Sequence, residues 1–203
     1  MFQVLLKSLV KDKVEELNMQ RVRVTRLVKS IEDKEKDEAL LFISEDKEKA
    51  LIQEMTYRLK RANLDIHPSN TCFLMVSPDY SAIVTQHLSH SLTMDGEIFH
   101  IEAVNVPFPD EDVRDYKTEF TQNFMKWQTR WDNFVLIEAG VIRGGNYTWI
   151  TEIMSRMTGG SIHTVALCEN IHSAFKSDFV SLYYDDTKED LHFWWEQPNN
   201  HWK

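Results

Sequence analysis

The chain has 203 residues and a formal net charge of −9 at pH 7, a length that fits one domain with a sizeable core. It carries no basic tract or stripe, which argues against general nucleic-acid binding, and no apolar run of membrane-spanning length. Residues 1–10 contain Lys7 and Ser8 and lead straight into charge, so they do not read as a signal peptide.

In residues 1–30 apolar positions such as Val4, Leu5, Leu9, Val14 and Leu17 suit an amphipathic helix, while Arg21-Val22-Arg23-Val24-Thr25-Arg26 alternates like a strand. The pattern fits one helix or a helix followed by a strand. A charge run over 31–38 reads as a solvated loop or exposed helical face. After the apolar segment 40–43, Ser44 with Glu45 and Asp46 makes a good helix start, a hydroxyl cap followed by acids on the first turn. Leu51, Met55 and Leu59 then repeat every four residues and mark one packed face.

Residues 71–76 form the next buried strand, and Ser77-Pro78-Asp79-Tyr80-Ser81 leads into a helix bearing Ile83, Val84, His87, Leu88 and Leu92. His87 and His90 lack a third ligand in view, so they read as surface or core residues rather than a zinc pair. A strand is expected over 97–104 and a strongly amphipathic helix over 113–131, where Tyr116, Phe120, Phe124, Trp127 and Trp131 recur every three or four positions. Beyond residue 150, Gly159-Gly160 is expected to end a helix as a left-handed C-cap. Strands follow over 162–168 and 179–184, and residues 191–195 close the fold. Cys72 and Cys168 lie inside apolar strand-like segments, which predicts two buried reduced thiols in a cytoplasmic protein.

The most informative stretch is residues 133–150. Phe134, Val135, Leu136 and Ile137 are an unbroken apolar run suited to a strand buried on both faces of a parallel sheet, with Glu138 expected where that strand emerges. Arg143-Gly144-Gly145-Asn146 follows, then a helical pattern opening at Thr148 with Ile150, Ile153, Met154 and Met157 on one face. Strand, acid, glycine turn and helix start together aim backbone N–H groups and a helix dipole at one point, which describes an anion site.

This stretch resembles the ribose-phosphate loop of the type I phosphoribosyltransferases, and the tail Phe193-Trp194-Trp195-Glu196-Gln197-Pro198 is loosely similar to the ending of the xanthine-guanine type members. The resemblance implies an α/β three-layer sandwich around a mainly parallel sheet, with a core over 46–203 and an N-terminal helical or strand extension over 1–45. It implies transfer or binding of a phosphoribosyl group, from phosphoribosyl pyrophosphate or a related sugar phosphate, to a nucleobase-like acceptor. The alternative is a non-catalytic nucleotide- or sugar-phosphate-binding regulator of the same fold.

By the same resemblance Arg143, Gly144, Gly145, Asn146, Tyr147 and Thr148 hold the 5-phosphate, and Glu138 and Arg143 are the catalytic candidates. Ser77, Pro78, Asp79, Tyr80 and Ser81 stand where the pyrophosphate loop belongs, and Ser77-Pro78 is placed to supply the cis bond often found there. Trp194 or Trp195 would stack on a base, and Glu138 or Asp79 would bind magnesium. A homodimer without membrane association is also implied. The departures are specific: Ala139 replaces the second ribose-binding acid, Ile142 stands where purine-salvage members often carry an Asp, and Asn146 replaces a Ser or Thr. The family's usual catalytic lid falls in the region of the helix over 113–131.

Overall fold

The computed structural model describes residues 39–93, 96–107 and 111–196. The expectations for residues 1–38, and the tail resemblance as far as it rests on Gln197 and Pro198, lie outside the described residues. The elements in order are β1 (Ala39–Ile43), α1 (Glu45–Arg61), β2 (Thr71–Val76), α2 (Pro78–Ser91), β3 (His100–Val104) and α3 (Val113–Trp127). They continue with β4 (Asn133–Val141), α4 (Gly145–Met157), β5 (Ile162–Asn170), β6 (Phe179–Tyr184), β7 (Glu189–Phe193) and a 3₁₀ turn at Trp194–Glu196. No helix among the described residues is long and apolar enough to cross a membrane.

Five strands form a parallel sheet in the order β3-β2-β4-β5-β6. The helices α2, α3 and α4 supply the crossovers from β2 through β5, and the helix-free segment 171–178 joins β5 to β6; with helices packed on both faces the strands lose the polar alternation of a half-exposed strand. That is why Phe134, Val135, Leu136 and Ile137 are all fully buried. On one face Leu51, Met55 and Leu59 of α1 and Val84 and Leu88 of α2 pack with Phe73, Val135 and Ile137. On the other, Phe120, Phe124 and Trp127 of α3 and Ile150 and Met154 of α4 pack with Leu74, Phe134 and Leu136. The result is the expected three-layer α/β architecture.

Local sequence explains most element ends. Ser44 caps α1 by accepting from the Lys47 N–H at 3.2 Å, with Glu45, Asp46 and Glu48 on the first turn and Arg58, Lys60 and Arg61 on the last, each sign matching the helix dipole. Asp112 caps α3 from the Arg114 N–H at 2.9 Å. α3 ends at Trp127, before Trp131. Its Phe120 ring meets Trp149 of α4 edge-on at 5.5 Å, and its buried residues, Phe120, Phe124 and Trp127, lie in its second half.

Three sequence expectations need correction. α4 opens at Gly145, not Thr148, because Gly144 takes φ +75° and turns the chain into the helix three residues early. Its C-cap is Thr158 in extended backbone, and neither Gly159 nor Gly160 has positive φ. Gly160 is needed for space instead, since a Cβ there would collide with the Asp132 carbonyl. No cis peptide occurs among the described residues, so Ser77-Pro78 is trans, and the unusual backbone is Ser77 itself, in the left-handed region at φ 52°.

A second sheet, β1 paired with β7, buries Ile43 and Phe193 in the α1–α2 core. Gly140 near the end of β4 lets β7 approach, with a Cβ there only 3.1 Å from Leu191 Cδ2. Both cysteines are free and buried, as expected. Burial pushes the Cys168 thiol up to about 12 and the Cys72 thiol higher still. Neither thiol is therefore expected to react with iodoacetamide in the native protein, and both should react in denaturant, a contrast that mass spectrometry of the alkylated chain reads directly.

Candidate functional site

The strand order reverses between β2 and β4, because the chain leaves β2 for β3 on one side and returns to place β4 on the other. In an open parallel sheet the crevice at the strand C-termini of such a switch point is the ordinary place for a ligand. A cavity of about 1100 Å³ lies there. Its floor is Glu138 and Gly140 of β4 with Tyr184 at the end of β6, and its sides are the turn 77–80 after β2 and Asn105, Val106 and Pro107 after β3. The start of α3 and the β7 segment with Glu196 close the remaining sides.

Glu138 is the centre of this floor. It lies inside β4, not where the strand emerges, because small Ala139 and Gly140 let the strand run on to Val141. Only 8% of it is exposed. Ser77 Oγ and Asn146 Nδ2 donate to Glu138 Oε1 at 3.4 and 3.5 Å, long bonds that barely offset the loss of water. Burial consequently raises its pKa to about 7, against the lowering effect of those two donors. The adjacent strand backbone is fixed from α2, where Ser81 Oγ accepts from the Ala139 N–H at 3.0 Å.

The turn after β4 is anchored from one side and open on the other. Asn170 Nδ2 donates to the Ile142 carbonyl at 3.1 Å, and the Ala174 N–H donates to that of Arg143 at 3.3 Å. Gly144 is buried against Ser173 and Phe175. Gly145 faces open space, and the first bonds of α4 are those of the Thr148 N–H and hydroxyl to the Gly144 carbonyl at 3.0 and 2.9 Å. The N–H groups of Gly145, Asn146 and Tyr147 are left without an acceptor among the described residues, as the first turn of any helix leaves them. Tyr147 points inward, its hydroxyl donating to the Val165 carbonyl at 2.6 Å and its ring meeting Phe175 at 5.3 Å.

No family model and no curated protein sequence matches this chain. Among solved structures, a purine phosphoribosyltransferase from Pyrococcus horikoshii Ot3 superposes with a TM-score of 0.56 at 14% identity, over 78% of this chain and 95% of that one. The fold is that of the type I phosphoribosyltransferases. The xanthine-guanine-hypoxanthine phosphoribosyltransferase of Helicobacter pylori is similar with a TM-score of 0.52, 12% identity and coverage of 77% of this chain and 92% of that one. A hypoxanthine phosphoribosyltransferase of Trypanosoma cruzi gives 0.51 at 17%, over 72% and 81%.

Within this phosphoribosyltransferase fold, the cavity brings together Ser77, Pro78, Asp79, Tyr80, Glu138 and Asn146 of the residues singled out from sequence. Ser81 is buried beside it. Arg143 and Thr148 are exposed, and with Gly144, Gly145 and Tyr147 they lie outside its wall. Trp194 and Trp195 also lie outside the wall; Phe193 belongs to it and stacks on Trp195 at 4.5 Å.

Sequence reasoning missed most of the cavity's charge. The start of α3 contributes Glu111, Asp112, Asp115 and Glu119, and the opposite wall contributes Asp186, Glu189, Asp190 and Glu196. With Asp79 and Glu138 these make ten carboxylates among the described residues, and no Lys, Arg or His is among the described lining residues. The only sequence signals were two acidic clusters, around residue 112 and around residue 186, that nothing local connects.

Proposed function

We propose that the protein binds the phosphoribosyl group of phosphoribosyl pyrophosphate, or of a related sugar phosphate or nucleotide, and transfers it to a nucleobase-like acceptor. The observation that carries this reading is the α4 start. A glycine turn with unpartnered N–H groups stands beside buried Glu138 and reaches, through Asn146, a cavity at the switch point of this fold. The Gly144, Gly145, Asn146 and Tyr147 N–H groups would hold the 5-phosphate at the positive end of the helix, with Arg143 and the Thr148 hydroxyl beside it. Fixing the phosphate there would bring the ribose toward Glu138, and holding both reactants in line would remove much of the entropic barrier to transfer.

Magnesium, which the fold family implies, fits the donor set, because among the described residues the cavity lining offers hard carboxylate oxygens and no basic side chain against a polyanion. Asp79 and Glu138 are the residues that would hold it, and it would offset the charge of the departing pyrophosphate. Asp79, on the turn after β2, would otherwise repel that group.

A second reading, a non-catalytic binder of a nucleotide or sugar phosphate, draws on Ala139 and Ile142, which leave one ribose-gripping carboxylate and no base in the loop. Calorimetry with phosphoribosyl pyrophosphate and magnesium, paired with a pyrophosphate-release assay over a panel of bases, separates the two. Binding with release supports transfer, and binding without release supports the second reading. Arg143→Ala and Glu138→Ala should each abolish turnover or donor binding; absence of binding in the unaltered chain, or full activity in both variants, overturns the reading.

A further inference from the structure

We propose that Glu169 and Lys176 latch the β5–β6 connection onto the turn that opens α4, which makes both of them positioning residues for the phosphate seat; the proposal rests on the reading of that turn as the seat. The connection, residues 171–178, carries no helix. It reaches the turn through the bond of the Ala174 N–H to the Arg143 carbonyl and through the packing of Phe175 against Gly144. The Phe175 ring also meets that of Tyr147 at 5.3 Å. Phe175 thus backs the residues whose free N–H groups open the helix, and a shift of Phe175 shifts them.

Phe175 is held from both sides along the chain. Before it, the Ser173 N–H donates to the Asn170 carbonyl at 2.9 Å. After it, the holder is Glu169, which stands near the end of β5 opposite Val141 of β4 and Tyr183 of β6. Glu169 is fully buried. Its Oε2 accepts from the Ser177 N–H at 2.9 Å, while its Oε1 has no hydrogen bond among the described residues and faces Lys176 Nζ at 3.6 Å. Lys176 Nζ also donates to the Ile171 carbonyl at 3.0 Å, so one amine joins the start of the connection to the residue after Phe175.

A carboxyl group taken fully out of water is costly, and an apolar side chain of similar size would fill the same space at less cost. What an apolar residue lacks is direction, since it would hold neither the Ser177 N–H nor the Lys176 amine at a fixed place. Lys176 is more than half exposed, so the latch closes from the surface onto a group in the core. Removing the amine leaves Glu169 Oε1 with neither a hydrogen bond nor an ion pair, and the connection then gains by opening toward water. That opening draws Phe175 off Gly144.

The test has two arms on the full chain. Nuclear magnetic resonance follows hydrogen exchange at the Thr148 and Ala174 amides, which bond to the Gly144 and Arg143 carbonyls. Calorimetry measures binding of phosphoribosyl pyrophosphate with magnesium. Lys176→Met keeps the stem and removes the amine, and Glu169→Gln keeps the shape and removes the acid. Each is expected to speed exchange at both amides about tenfold and to weaken binding about tenfold. Lys176→Arg should restore both readouts, and the double variant should be no worse than either single one, because the two residues act as one unit. Lys188→Met, which frees Asp185 instead, should change neither. Exchange unchanged in Lys176→Met and Glu169→Gln, or equal changes in Lys188→Met, overturns the proposal. Affinity lost in Lys176→Met but kept in Glu169→Gln also overturns it, since Lys176 would then be touching the ligand itself. Absence of binding in the unaltered chain removes the phosphate seat and the positioning role with it, while the exchange arm still decides whether the latch exists.

Discussion

Replacing Gly144 with alanine is expected to lower the unfolding free energy by about 3 kcal/mol and to abolish the phosphate binding proposed for the α4 turn. The residue sits at φ +75°, where an L side chain costs about 1–2 kcal/mol before any contact is considered. The added Cβ would also meet Phe175 Cβ, stand 2.7 Å from Ser173 Oγ and 2.9 Å from the Phe175 backbone nitrogen. Backbone cannot swing aside as a flexible side-chain tip can.

The segment 173–175 is tied down as well. The Ser173 N–H donates to the Asn170 carbonyl at 2.9 Å, Ser173 Oγ donates to the Phe175 carbonyl at 2.8 Å, and the Ala174 N–H holds Arg143. Relief of the clash must therefore shift the turn, and with it the N–H groups that open α4. Gly145→Ala is the control, because its Cβ would meet nothing within 4 Å and its φ is not positive; its stability should stay within about 1 kcal/mol of the unaltered chain. Urea denaturation of the two variants provides the comparison. A Gly144→Ala variant as stable as Gly145→Ala would mean that the turn is not held by the β5–β6 connection.

The layers of this fold were legible because burial on both faces leaves an unmistakable trace. The segments 72–76, 134–137 and 165–168 are apolar without alternation, and α2, α3 and α4, which connect β2 through β5, carry helical apolar periods. Such signals are local, and a local reading recovers them. Two cavity residues, Glu138 and Asn146, were legible for the same reason, since the strand and turn that carry them are contiguous.

What was not legible depends on contacts between distant segments. Glu138 reads as the end of a strand, yet β4 continues to Val141, because small Gly140 leaves space for Leu191 and Phe193, some fifty residues later in the chain, to pack against it. Gly160 reads as a cap and serves instead as clearance for the Asp132 carbonyl. The acidic walls are the extreme case. Glu119 and Glu189 face one cavity only because the sheet order and the β1–β7 sheet bring their segments to the same edge.

Exchanging Glu138 for glutamine is expected to change the pH dependence of folding more than any other conservative substitution in the cavity. Burial raises the Glu138 pKa from the ordinary value of 4.5 to about 7, so the folded state prefers the neutral acid. A folded-state pKa above the unfolded one contributes stability that is complete below pH 4.5 and is lost as pH rises through 7. The separation corresponds to about 3 kcal/mol at most, at about 1.4 kcal/mol per unit. Glutamine keeps the shape and stays neutral throughout, so the variant should match the unaltered chain near pH 4.5 and exceed it in stability by about that amount above pH 7. Urea midpoints across this range, measured with a chelator present, report the difference curve. Parallel curves would show that Glu138 is already ionised in the folded protein. The same titration with magnesium added carries a second sign, because a cation beside the carboxylate favours its charged form and should close the gap above pH 7 in the unaltered chain alone.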